Sequence, residues 1–252
     1  MLTSKRKQLI LDTLRKSGGL IARDFAVDLG VSEDTIRRDL RDMAAEGLLQ
    51  RVHGGALPIA SELPDLTTRR TLATDVKDRL GQKAASLIQP RQTLFFDGGT
   101  STAAIARHLP KELEVTIVTH SPTIAAELEH HAKAEVVLIG GRLYKHSMVS
   151  TGAAAMAQIS QIRPDIFFLG VTGIHHVEGC STGDFEEAQI KAHVASRAVR
   201  TITLITENKL DTISPQIIAP ITTLAAMIVP AEISDERLAA YCDKGVEILF
   251  AR

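Results

Sequence analysis

Arg37, Arg38 and Arg41 stand within one short run, and Ser32 and Thr35 precede them at a spacing that suits the start of a helix. Planar guanidinium groups grip phosphate or guanine in bidentate fashion, and hydroxyls at a helix start hydrogen-bond to phosphate, so the cluster points to nucleic acid. At about 100° per residue, Arg38 and Arg41 point away from Ile36 and Leu40, with Arg37 on the flank. Arg51 and His53 then lead into a Gly54-Gly55 turn, the composition of a compact wing that rests on a DNA backbone. A second kind of chemistry lies further along. Asp97-Gly98-Gly99-Thr100-Ser101-Thr102 directly precedes a helical pattern, so backbone N–H groups and hydroxyls converge on an anion there, and a phosphate fits. Related small-residue loops recur at Thr119-His120-Ser121, Gly140-Gly141-Arg142 and Gly170-Val171-Thr172-Gly173, with Asp184, Glu187, Lys191 and Lys209 as charged partners. Glu187 and Lys191 are four residues apart. An exposed helical ion pair is the preferred reading for Glu187, and a role in ligand binding for Lys191.

The elements that position the first cluster are three short helices, with no strand signal before residue 45. Leu9, Ile10 and Leu14 mark the first, Lys5, Arg6 and Lys7 falling largely off its apolar face, and Ser17-Gly18-Gly19 ends it. The second runs from about Ala22 to Leu29, burying Phe25, Ala26 and Leu29, and stops at Gly30. Ser32 caps the third, whose first turn carries Glu33 and Asp34 and whose core face is Ile36, Leu40 and Met43. With a strand over Leu48 to Val52, residues 1–57 predict a winged helix-turn-helix. Its expected DNA contacts are Ser32, Glu33, Thr35, Arg37, Arg38, Arg41, Arg51 and His53. Residues 58–75 lose periodicity, hold Pro58 and Pro64, and read as a linker.

From 76 to 252, apolar runs alternate with amphipathic segments. The runs are Thr93 to Phe96, Val115 to Thr119, Val136 to Ile139, Ile166 to Val171, Thr201 to Thr206, Leu224 to Val229 and Val246 to Phe250. The helical patterns include Val76 to Ile88, Ser101 to Leu109, Thr123 to His130 and Glu186 to Val199. This alternation predicts an α/β domain built on a mostly parallel sheet covered on both faces, with ligands at the carboxyl ends of strands.

The run Val31-Ser32-Glu33-Asp34-Thr35-Ile36-Arg37-Arg38-Asp39-Leu40, followed by Gly47 and Arg51-Val52-His53-Gly54-Gly55-Ala56, resembles the DNA-binding signature of the DeoR family of bacterial sugar-catabolism regulators. The order of elements after residue 57 is similar to that family's sensor domain. The resemblance implies a fold like that of ribose-phosphate isomerases, repression of a sugar catabolic operon, and relief by a sugar phosphate or similar metabolite. The Gly-Gly-Thr-Ser loop, Gly140-Gly141, Gly170-Val171-Thr172-Gly173, Lys191 and Lys209 fall where such sensor domains carry matching residues. Two places depart from the pattern: Glu207-Asn208 stands ahead of Lys209 where Asp is frequent, and His120 stands where Asn is usual.

Composition agrees with a soluble globular chain of 252 residues, 44% hydrophobic and 23% charged. The net charge of −1 conceals an asymmetry: ten basic against eight acidic residues up to Leu57, nineteen against twenty-two beyond it. No apolar run reaches the roughly 20 residues needed to cross a bilayer, and the first helix leaves no room for a signal peptide, so a cytoplasmic location is expected. Cys180 and Cys242 read as ordinary buried or half-buried thiols. The pairs His130-His131 and His175-His176 read as solvated or loop histidines, so neither a metal nor a cofactor is expected. One recognition helix reads few base pairs, which calls for a homodimer or homotetramer on double-stranded operator DNA. The alternative is a sugar-phosphate isomerase with an accessory domain, using Asp184, Glu187 and Lys191 as acid and base groups.

Overall fold

A computed structural model describes residues 2–60 and 63–252; Ser61 and Glu62, inside the expected linker, lie outside it. Helices α1 (Thr3–Ser17), α2 (Ala22–Leu29) and α3 (Glu33–Ala45) bury Ile10, Leu14, Phe25, Ala26, Ile36, Leu40 and Met43 in one core. The Ser32 hydroxyl accepts the Thr35 N–H and caps α3 as its sequence suggests. Arg6 departs from expectation. It is buried and grips the Asp39 carboxylate with Nε and, at 3.0 Å, with Nη2, tying α1 to the inner face of α3. A two-residue strand, β1 (Leu20–Ile21), also appears where no strand signal exists, because pairing rather than local pattern creates it. It joins an antiparallel sheet with the wing hairpin β2 (Gln50–Val52) and β3 (Gly55–Leu57). Glycine is required at position 55, since a Cβ there would lie 1.9 Å from the Leu20 carbonyl oxygen.

The segment read as a linker is docked on the larger domain. Ile59 bridges Ile213, and the short helix α4 (Leu66–Arg69) buries Leu66 and donates its first N–H to the His146 carbonyl. Helix α5 (Thr74–Ala85) follows.

Seven parallel strands form the central sheet, and each corresponds to one of the apolar runs. They are β4 (Thr93–Phe96), β5 (Val115–Thr119), β6 (Ala134–Leu138), β9 (Ile166–Leu169), β12 (Arg200–Leu204), β14 (Ala226–Pro230) and β15 (Glu247–Ala251). Separate apolar clusters cover the sheet's two faces, under α5, α6 (Thr100–His108) and α7 (Pro122–Glu127) on one and under α8 (Ala153–Ile159), α9 (Phe185–Arg197) and α10 (Asp235–Cys242) on the other. Spatial order is β15-β14-β12-β9-β4-β5-β6, so the chain winds outward from β4 in one direction and from β9 in the other. Connections leave to opposite faces at that reversal and open a crevice beyond the carboxyl ends of β4 and β9. Edge-to-face pairs Phe95–Phe167 and Phe96–Phe168, with centroids 5.5 and 5.4 Å apart, fix this seam.

Two antiparallel units escape the sequence pattern: the hairpin β7 (Arg142–Tyr144) with β8 (Val149–Thr151), and the triplet β10 (Gly173–His175), β11 (Gly179–Thr182) and β13 (Gln216–Ala219). His131 and His175 are buried rather than solvated, and among the described residues no group of three metal-ligating side chains comes together. Cys180 is buried, which pushes its thiol up to about 12, whereas Cys242 is exposed rather than half-buried.

Candidate functional site

On the outer face of α3, Arg38 and Arg41 are exposed, and among the described residues neither has an ion-pair partner. Arg37 pairs with Glu33 one turn earlier at 2.7 Å, so Glu33 steadies a cation of this face. Ser32 and Thr35 stand hydroxyl to hydroxyl at 2.8 Å at the helix start, and Arg51 and His53 are exposed on the wing. All eight residues expected to contact DNA thus lie on two neighbouring elements. The exposed arginines offer bidentate donors of the kind that bind phosphate.

A cavity of about 520 Å³ opens in the crevice at the carboxyl ends of β4 and β9. Gly98, Gly99, Thr100, Ser101 and Thr102 form one wall at the start of α6, and Gly170, Val171 and Thr172 form the opposite wall. Lys191 and Lys209 reach it from α9 and from the 3-10 turn Glu207–Lys209. Asp97 lies beneath, 1% exposed, and binds the two walls together. It accepts the Gly98 N–H at 2.8 Å, the Gly170 N–H at 2.7 Å and the His120 Nε2 at 2.9 Å, with Lys191 Nζ at 3.1 Å. Burial alone would raise this carboxyl, but Lys191, His120 and the Gly170 N–H outweigh it and hold it down to about 2. Burial likewise opposes the Lys191 ammonium, yet Asp97 and Glu187 beside it raise its pKa. Lys209 makes no ion pair among the described residues, and the more distant Asp97 compensates it only weakly. Burial, then repulsion from Lys191, Arg69 and Lys77, pushes it down to about 7, and its Nζ donates to the Val171 carbonyl at 2.8 Å.

Several expected residues stand outside the lining. Thr119, His120 and Ser121 are wholly buried supports: Thr119 donates to the Phe96 carbonyl, His120 spans Asp97 and the Ser150 carbonyl, and Ser121 donates to the Met148 carbonyl. Gly140, Gly141 and Arg142 lie beyond β6, where Arg142 pairs with Glu186. Gly173 packs against Thr212, and Asp184 caps α9 by accepting the Glu187 N–H. Glu187 corrects the exposed-pair reading: it is 6% exposed, lines the cavity and stands 4.0 Å from Lys191.

Sequence reasoning missed Arg69, Lys77, Ser147, Thr182 and Thr206, all of which line the cavity; Asn208, noted as a departure beside Lys209, lines it too. Thr182 lies two residues before Asp184 and Thr206 three before Lys209, both of which had been singled out, but nothing local marks Arg69. It comes from the presumed linker, donates to the His146 carbonyl and to Ser147 at 3.4 Å, and leaves a buried Nε without a partner among the described residues. Lys77 holds that segment in place by donating to the Arg69 and Leu72 carbonyls. The cavity therefore gathers Arg69, Lys77, Lys191 and Lys209 against Asp97 and Glu187, together with the start of α6 and the hydroxyls of Thr100, Ser101 and Thr206. Such an arrangement suits a small polar anion.

Comparison with known proteins agrees with both halves of the chain. Residues 6–62 match the DeoR-like helix-turn-helix domain, and residues 72–230 match the DeoR C terminal sensor domain. The HTH-type transcriptional regulator GlpR of Haloferax volcanii is 32% identical over 212 residues, 83% of each chain. The putative aga operon transcriptional repressor of Escherichia coli O157:H7 is 30% identical over 251 residues, 98% of this chain and 93% of its own. The glycerol-3-phosphate regulon repressor of Escherichia coli K12 is 30% identical over 210 residues, 83% of each. Among solved structures, ribose 5 phosphate isomerase A from Neisseria gonorrhoeae aligns over 57% of this chain and 55% of its own, at 14% identity and a TM-score of 0.40. With both domains matched in order, the chain belongs to the DeoR family of transcriptional regulators.

Proposed function

We propose that this chain represses a sugar or carbohydrate catabolic operon and releases its operator when a phosphorylated metabolite enters the switch-point cavity. The observation that carries the reading is the charge balance of that cavity. Four basic side chains stand against two carboxylates, Glu187 in the lining and Asp97 beneath it, an excess that suits a phosphoryl group and is complete once Lys209 is protonated, and among the described residues the buried Arg69 Nε has no acceptor. Two relatives are named as repressors, one of an aga operon and one of a glycerol-3-phosphate regulon, which supports the same chemistry here. The contact set on α3 and the wing serves double-stranded DNA, and two or four copies with matching half-sites supply the specificity that one helix lacks. No helix among the described residues is long and apolar enough to cross a membrane, which fits a cytoplasmic repressor. Isomerase chemistry is disfavoured. Asp184 is committed to capping α9, Lys191 to Asp97 and the Gly170 carbonyl, and the relatives carry regulators' names.

A thermal-shift screen of sugar phosphates against their unphosphorylated parents tests the ligand class, because a compound that binds only the folded state raises Tm. Phosphorylated compounds should give the hits. Stabilisation confined to the unphosphorylated parents would sink the assignment.

A further inference from the structure

The two loops that wall the cavity continue, on their far side, into the surface that holds the DNA-binding domain. From Val171 the chain runs into β10, which ends at His175, and from Lys209 it runs through Leu210 to Asp211. These segments are joined along their length. Lys209 Nζ donates to the Val171 carbonyl at 2.8 Å, Ile174 bridges Leu210, and the Thr212 N–H donates to the Ile174 carbonyl at 3.2 Å. Beyond the join, His175 and Asp211 form a socket for Gly18, the residue that ends α1. The His175 ring lies beside the Gly18 backbone, which favours its protonated form, while its Nδ1 accepts the N–H groups of Val177 and Glu178. Gly18 sits at φ +66°, and a methyl group added there would come within 2.7 Å of Asp211 Cβ. Asp211 is itself held by the Tyr241 hydroxyl at 2.9 Å and by Arg237 at 3.1 Å.

We propose that the Lys209–Val171 hydrogen bond is the link by which the cavity controls docking of the helix-turn-helix domain: a bound phosphoryl group draws the ammonium off the Val171 carbonyl, the two loops part, and the Gly18 socket opens. The trigger rests on the phosphorylated-ligand reading above, but the mechanical link does not. An effector shifts an equilibrium only through unequal affinity for its two states, and competition for one ammonium supplies that inequality.

Amide hydrogen exchange on the full chain separates the two claims, with inorganic phosphate as the probe. Without phosphate, Lys209→Met should speed exchange at residues 17–21 and 173–176 by about fivefold, the factor that one net hydrogen bond carries in an opening equilibrium. Lys209→Arg, which keeps a donor, should exchange there as the wild type does. Unchanged exchange at 17–21 in Lys209→Met overturns the link. Should that variant exchange faster even in the central strands 93–96 and 166–169, it is globally loosened, and the wild type with phosphate decides. There, slowed exchange at 98–102 together with faster exchange at 17–21 supports the proposal. Protection at 98–102 with no change at 17–21 overturns it and leaves the ligand reading intact. A socket loosened by Lys209→Met without any phosphate protection at 98–102 supports the link and removes the ligand reading.

Discussion

Lys209 and Asp97 both titrate below their ordinary values, Lys209 because burial and neighbouring cations disfavour its charged form and Asp97 because Lys191 and His120 favour its own, so each gives the protein a distinct pH signature. Lys209 titrates at about 7 when the cavity is empty, while a phosphoryl group beside it favours the charged form. Binding at pH 8 should therefore take up nearly one proton per ligand, and affinity should fall about tenfold per pH unit above 7. Calorimetry in buffers of different ionisation enthalpy measures this uptake; a value near zero at pH 8 would remove Lys209 from the ligand's contacts. Asp97 runs the other way. Its folded pKa of about 2 lies below the ordinary 3.8, so its stabilising contribution is complete above that value and is lost as pH falls through about 2. Asp97→Asn leaves the buried Lys191 with only the more distant Glu187 and should cost about 3 kcal/mol in denaturant unfolding at neutral pH, while flattening the acid limb. An unchanged midpoint would mean that the two loops need no such anchor.

At the level of elements, the recognition helix is fixed by contacts that local pattern only partly announces. Ser32 caps it, Met43 and Leu40 seat it, and the buried Arg6–Asp39 pair locks its inner face to α1. Asp39→Ala takes from the buried Arg6 guanidinium the carboxylate that it grips, so the loss should exceed the about 1 kcal/mol expected for Ser32→Ala. Comparable midpoints for the two variants in chemical denaturation would show that the pair contributes little. The wing depends on backbone proximity. Gly55→Ala drives a methyl group into the Leu20 carbonyl, so β1 should detach from β3 and operator affinity should fall in a gel-shift titration, with ligand binding unchanged.

For the whole molecule, charge is divided by function: the basic excess lies in the first 57 residues and the acidic excess in the remainder. If paired copies each present Arg38, Arg41 and Arg51 to phosphates, operator affinity should drop about 10³-fold between 50 and 200 mM salt. Arg38→Ala should weaken binding and flatten that slope without altering the ligand-induced rise in Tm; equal slopes for both proteins would place the reading face elsewhere. Much of this molecule was legible in its residues. Helix periodicity, the Ser32 cap and the seven apolar runs fixed the two domains, because each is a local consequence of chain geometry and burial. The placing of Gly98 to Thr102 at a helix start was legible for the same reason, and the structure puts that loop in the cavity wall. Other features belonged to the tertiary structure alone. Arg69 comes from a segment without periodicity and reaches the cavity only because α4 docks beside His146. His120 and Thr119 look like ligand groups in a strand-end loop, but the packing of β4, β5 and β8 buries them as supports. Side-chain type and spacing determine which elements form and what chemistry a loop can offer; which side chains share a cavity depends on contacts between residues distant in the chain, and only the packed fold settles those.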